Sequence, residues 1–134
     1  MSSIFSKIVA GEIPCYKIAE DDQFLAFLDI NPLAKGHTLV IPKKETDYIF
    51  DIEDDELGKM IVFSKKVAIA IKKIIPCSRI GLTVIGLEVP HAHIHLIPIN
   101  EMNDMNFASA KLKLNKSDFL SIAESIREMV QATE

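Results

Sequence analysis

The chain has no tryptophan, only two cysteines, and no surplus of basic residues. Each shortage excludes something. Cys15 and Cys77 lie far apart and form no Cys-x-x-Cys pair, so neither a disulfide framework nor a cysteine-based zinc site is signalled. Both read as small hydrophobes. Fifteen Lys and Arg against 19 Asp and Glu leave a formal net charge of −4, which argues against general binding to nucleic acid. A small anionic ligand stays open, because a local cluster of donors counts for more than the total. Long apolar runs are missing too: Lys or Asp interrupts every greasy stretch well short of the about 20 residues that span a bilayer. Near the N-terminus Lys7 stands where the apolar run of a signal peptide would have to continue. A cytoplasmic protein with no membrane partner is expected.

What is present is ordinary globular composition, 49% hydrophobic and 25% charged, at a length of 134 residues that suits one domain spanning 1–134. A short helix is expected over Ser3 to Ala10, with Ser3 as cap and Ile4, Phe5, Ile8 and Val9 on one side. Strands are expected over 15–19 and 24–28, separated by Glu20-Asp21-Asp22, and over 37–41 after a loop containing Asn31-Pro32 and Lys35-Gly36. Residues 47–52 read as a single helical turn. Leu57, Met60, Ile61, Ser64, Val67, Ala68, Ile71 and Ile75 form one helical stripe in which only Ser64 is polar. Acidic residues precede that helix, Lys72-Lys73 close it, and Pro76 stops it. Further strands fall over 79–85 and 92–99. Residues 100–114 show no period and read as a loop, and Phe119, Ile122, Ala123, Ile126 and Val130 line a C-terminal helix. The pattern predicts an α+β fold, an antiparallel sheet with helices on one side.

The chemistry concentrates in His91-Ala92-His93-Ile94-His95. On a strand, alternate side chains share a face, so the three imidazoles point one way and Ala92, Ile94 and Leu96 the other. Buried imidazoles need hydrogen-bond partners, which makes three of them costly to keep for packing alone. His37 begins another strand. Two readings fit: a catalytic histidine cluster, or a metal site built from the His-x-His pairs with Glu88 as a further ligand. Spacing alone leaves both open.

The run His91-Ala92-His93-Ile94-His95-Leu96-Ile97 matches the signature of the histidine triad (HIT) family, histidines alternating with apolar residues. Similarity extends through Ile4–Pro14, Phe24–Pro32 and Gly36–Lys44, about the first 100 residues, and resembles the Hint branch. The resemblance implies a five-stranded antiparallel sheet with a long helix and a C-terminal helix, the sheet continuing across a homodimer. It implies hydrolysis or transfer at the α-phosphorus of an adenylate-type purine nucleotide, such as a nucleoside phosphoramidate, through a nucleotidyl-histidine. His93 would be the nucleophile, oriented by the carbonyl of His91, with His95 and His37 as donors to phosphate oxygens or the leaving group. Asp29 matches the ribose-binding acid, although a turn aspartate before Asn31-Pro32 is its plain structural reading. Phe5, Ile8, Phe27 and Ile30 fall where the family encloses the base. No cofactor is expected. Alternatives are a dinucleotide polyphosphate hydrolase using the same intermediate, a nucleotide-binding module with little catalysis, and the metalloprotein.

Three departures from the family stand out. Ser3, Ser6 and Glu45 occupy the positions where many bacterial relatives carry the Cys-x-x-Cys and histidine of a structural zinc site, so no such zinc is expected. Before the triad, Leu87 replaces a glutamine and Glu88 adds a carboxylate, with Thr83 the nearby polar candidate for phosphate contact. The loop 100–114, with Met102, Met105 and Phe107, differs from the Hint tail and is expected chiefly to pack.

Overall fold

The structure, a computed structural model, describes residues 2–134; Met1 lies outside them. Five strands, β1 (Lys17–Glu20), β2 (Phe24–Leu28), β3 (Thr38–Pro42), β4 (Arg79–Thr83) and β5 (Ile94–Ile99), form one sheet in the order β1-β2-β3-β5-β4. Every pairing is antiparallel. Between β3 and β4 the chain runs through the 21-residue helix α2 (Asp54–Ile74), and the C-terminal helix α3 (Lys116–Ala132) closes the fold. These are the elements that the hydrophobic periods indicate, with ends moved by a few residues. β5 is shorter than expected: it starts at Ile94, so His91, Ala92 and His93 lie on the segment leading into it.

Strict alternation splits the strands between two faces. Ala26, Leu28, Val40, Ile94 and Leu96 pack with Met60, Val67 and Ile71 of α2 and with Phe119, Ala123 and Ile126 of α3. Burying each large aliphatic or aromatic side chain contributes roughly 1.5–3 kcal/mol, and this face holds most of the core. The intervening residues Leu25, Phe27, Leu39 and Ile41 face the other way, against Phe5 of the short helix α1 (Ile4–Val9). The long helices thus cover one face, while α1 covers part of the opposite face rather than joining them. The acidic first turn and Lys72-Lys73 in the last turn of α2 complement its dipole. α3 begins with a capping box in which Asn115 accepts from the Asp118 N–H and the Asp118 side chain reaches back.

Gly36 precedes β3 at φ 87°, and a Cβ there would stand 2.9 Å from Ile75 Cγ1. Only glycine allows both that backbone conformation and the close approach of α2, which together set where His37 enters the sheet. No helix among the described residues is long and apolar enough to cross a membrane.

Candidate active site

On the face opposite the long helices, a cavity of about 460 Å³ opens beside the end of β5. Its apolar part is walled by Phe5 and Ile8 of α1, Phe27 of β2, Ile30, and Ile85, Leu87 and Val89 from the segment between β4 and β5. Its polar part carries Asp29, His37, His93 and His95. Glu88 stands exposed on the rim. Alternation explains the placement: Ala92 and Ile94 turn into the core, so His93 and His95 face the cavity.

Hydrogen-bond partners assign the ring protons, because a carbonyl only accepts and an amide N–H only donates. His93 Nδ1 donates to the His91 carbonyl at 2.7 Å, which leaves the Nε2 lone pair of neutral His93 free. The Leu33 N–H donates to His37 Nδ1 at 3.0 Å, so neutral His37 carries its proton on Nε2. That nitrogen donates to His95 Nδ1, also at 3.0 Å. His95 therefore holds its own proton on Nε2. Burial chiefly, with smaller contributions from neighbouring positive charge, lowers His37 to about 3 and His95 to about 4. Both are neutral near pH 7, so His95 presents an imidazole N–H to the cavity, with its ring 4.9 Å from that of His93.

Asp29 forms the turn of its plain structural reading and also lines the cavity. Its Oδ1 accepts from the Asn31 N–H at 2.8 Å in a tight turn, while Oδ2 lies 3.5 Å from His37 Nε2. Burial pushes its carboxyl above the ordinary range. Asp29, His37 and His95 bring three ligand atoms within 4.8 Å of one another, the group among the described residues that could hold a metal ion. This differs from the ligand set considered from spacing, His91, His93, His95 and Glu88, because His91 turns away.

Two expected residues stand outside the cavity walls. His91 is fully buried with both ring nitrogens engaged: Nε2 donates to the Pro42 carbonyl at 2.7 Å, and Nδ1 accepts from Ser3 Oγ at 2.8 Å. Its imidazole anchors α1 to the strand, and only its carbonyl reaches the site. Thr83 pairs with His95 across β4 and β5, yet the wall is built by residues 85–89, after the chain has left the strand. Conversely, the loop 100–114 does more than pack. Phe107 lies edge-on to His95 at 4.8 Å and to His37 at 6.2 Å, and Phe107 and Lys111 both line the cavity. No periodic signal in the loop points to this, since it depends on tertiary anchoring.

Ser3, Ser6 and Glu45 do come together around His91, but as a hydrogen-bonded set. The Ser3 N–H and Ser6 Oγ both donate to Glu45 Oε1, at 2.6 and 2.7 Å, and Ser3 Oγ accepts from the Ser6 N–H to cap α1. The Ser3 N–H chiefly, with the Ser6 hydroxyl, holds Glu45 down to about 2. Neutral hydroxyls are poor zinc donors, and the cluster does not fit that metal.

A five-stranded antiparallel sheet that displays an oriented histidine pair in a nucleotide-sized cavity is the architecture of histidine-triad proteins. The HIT domain family matches residues 10–102, and the chain belongs to that family. It is 37% identical over 131 residues to an uncharacterised HIT-like protein of Borreliella burgdorferi, covering 92% of this chain and 94% of that one. It is 34% identical over 133 residues to the adenosine 5'-monophosphoramidase hnt1 of Schizosaccharomyces pombe, covering 98% of this chain and all of that protein. A crystal structure of a zinc-bound histidine triad family protein from Mycobacterium smegmatis superposes with a TM-score of 0.84 at 27% identity, covering 99% and 96% of the two chains.

Proposed function

We propose that the chain, as one HIT domain over residues 1–134, is a nucleotidyl hydrolase or transferase that cleaves at the α-phosphorus of adenylate-type substrates, nucleoside phosphoramidates foremost. The observation that carries the reading is the 2.7 Å bond from His93 Nδ1 to the His91 carbonyl, which commits the other ring nitrogen to a lone pair facing the cavity. His93 Nε2 attacks phosphorus and the phosphorus–nitrogen bond to the leaving amine breaks. The His95 Nε2–H hydrogen-bonds to the departing nitrogen, which takes its proton from water and leaves as the amine. The hydroxide so formed attacks the phosphorus of the nucleotidyl-histidine, and the nucleoside monophosphate leaves neutral His93. The His37 N–H keeps His95 in the tautomer that can donate outward. Asp29 takes the ribose hydroxyls, and Phe5, Ile8, Phe27 and Ile30 enclose the base. Thr83 is left out of the contact set, and Glu88 stays as a rim residue. The relative named as a phosphoramidase supports the substrate class.

A His93→Ala variant should lose turnover of an adenosine phosphoramidate while binding adenylate nearly as wild type does. Equal turnover in the variant contradicts the assignment. Turnover of diadenosine polyphosphates at a higher kcat/KM would move the substrate class to dinucleotides. Adenylate binding with no turnover of either would make the chain a binding module, a reading that Leu87 favours by putting an exposed aliphatic side chain where the resembled family has an amide donor.

The same reading includes a homodimer located in the cytoplasm. The sheet ends in β4, whose Leu82 is half exposed, and α2 presents Ile61, Val62 and Ile69 to solvent. Pairing β4 and α2 with those of a second copy would continue the sheet and cover these side chains. A monomer by light scattering contradicts this assembly.

A further inference from the structure

The charged side chains lining the cavity are Asp29, Glu88 and Lys111. With His37 and His95 neutral, Lys111 is the one formal cation among the described lining residues. A phosphorylated ligand bound there meets two carboxylates, so the placement of this lysine decides much of the electrostatics.

Lys111 is held in place. Its ammonium donates to the carbonyls of Phe107 and Ser109, which uses two of its three protons. The segment that carries it is pinned at three points. Met105 packs on Gly81, where a Cβ would stand 2.8 Å from the Met105 sulfur. Phe107 lies against His95 and His37. The Leu112 N–H donates to the Pro32 carbonyl at 2.8 Å. The lysine rests on the Phe107 carbonyl, and the Phe107 ring lies against both His37 and His95, so it stands on the wall these histidines share, which in the proposed reaction faces the leaving group. Its charge is felt at both Asp29 and His37. Glu88, the opposite rim charge, follows Leu87 and precedes Val89, which packs against the apolar cluster around Phe5 and Phe27.

We propose that Phe107 and Lys111 form an anion subsite for the leaving group, selecting one that carries a carboxylate or phosphate a few bonds beyond the scissile linkage. The inference rests on His93 acting as nucleophile, and it assigns the substrate charge that the segment before the triad leaves undetermined. A wall donated by the loop after β5 takes over the task for which Leu87 is unsuited.

The test uses two adenosine phosphoramidates that differ in charge alone, one N-linked to glycine and the other to glycinamide, with diadenosine tetraphosphate as the phosphate-bearing arm. The wild type should favour the glycine compound by about tenfold in kcat/KM, the scale of a hydrogen bond to a charged group. Lys111→Met should bring that ratio close to one, and Lys111→Arg should restore most of it. The same ratio is read as affinity in the His93→Ala background by calorimetry, which requires no turnover and so separates this inference from the catalytic one. Lys111 dependence with the glycine compound alone assigns a carboxylate, and with the tetraphosphate alone a phosphate. A wild-type ratio near one, or a ratio that Lys111→Met leaves unchanged, overturns the proposal when that substitution also leaves the tetraphosphate unaffected. An equal loss on both phosphoramidates overturns it as well, since the lysine would then serve the α-phosphate or the fold.

Discussion

Burying His37 and His95 as neutral, hydrogen-bonded rings makes the fold sensitive to mild acid. The two side chains are 1% and 7% exposed, and burial holds them at about 3 and about 4. In the unfolded chain each titrates near 6.5. Between pH 7 and pH 5 the unfolded chain therefore takes up a proton at each histidine that the native protein refuses, and stability falls with pH. Both native values lie below this window, so the loss is set by the unfolded value: about 2 kcal/mol per histidine, or about 4 kcal/mol for the pair. His91, also lowered by burial, acts in the same sense, and Asp29, raised by burial, in the opposite one. Single variants isolate the pair from these neighbours. Urea unfolding at pH 7 and pH 5, at one protein concentration, should give a stability difference about 2 kcal/mol smaller in His37→Gln than in wild type, and likewise in His95→Gln. A difference the same in wild type and both variants would refute the burial argument. A marginal total stability of roughly 5–15 kcal/mol makes an effect of this size easy to resolve.

Other perturbations test other parts of the structure. Ser64 is the one polar residue on the buried stripe of α2, and its hydroxyl has no partner among the described residues. Ser64→Ala should therefore stabilise the protein by about 1 kcal/mol in urea unfolding, and a loss of stability would show that the hydroxyl is satisfied. Ser3→Ala removes the cap of α1 and strips His91 Nδ1 of its donor, with an expected cost of about 1–3 kcal/mol in thermal unfolding. Because α1 carries Phe5 and Ile8, adenylate affinity should fall too, and an unchanged affinity would mean that the cap does not position the wall. Treatment with EDTA should leave turnover unchanged if Asp29, His37 and His95 act as hydrogen-bonding groups. Loss that zinc restores would convert them into a metal site.

Much of this architecture is legible in the chain. The alternation through Ala92, Ile94 and Leu96 places one set of side chains in the core and aims His93 and His95 at the opposite face. The stripe from Leu57 to Ile75 and the one from Phe119 to Val130 give the two long helices. What escapes is where alternation meets tertiary constraint. His91 fits the same pattern as His93, but its ring is captured by Ser3 and Pro42, contacts 88 and 49 residues away in the chain. The side that α1 occupies is equally invisible from its own period, since both faces of the sheet are apolar in β2. The contribution of Phe107 and Lys111 depends on the anchoring of an aperiodic loop to Gly81 and Pro32. Thr83 looks near the triad by count, while the wall is made by the chain that turns away after it.

The central claim is that His93 becomes covalently nucleotidylated. Wild-type protein mixed with an adenosine phosphoramidate, acid-quenched within the first turnovers and measured by intact mass spectrometry, should carry a transient adduct of one adenylate, mapped by peptide fragmentation to His93 and absent from His93→Ala. Turnover without any adduct, or with an adduct on another residue, would contradict the account.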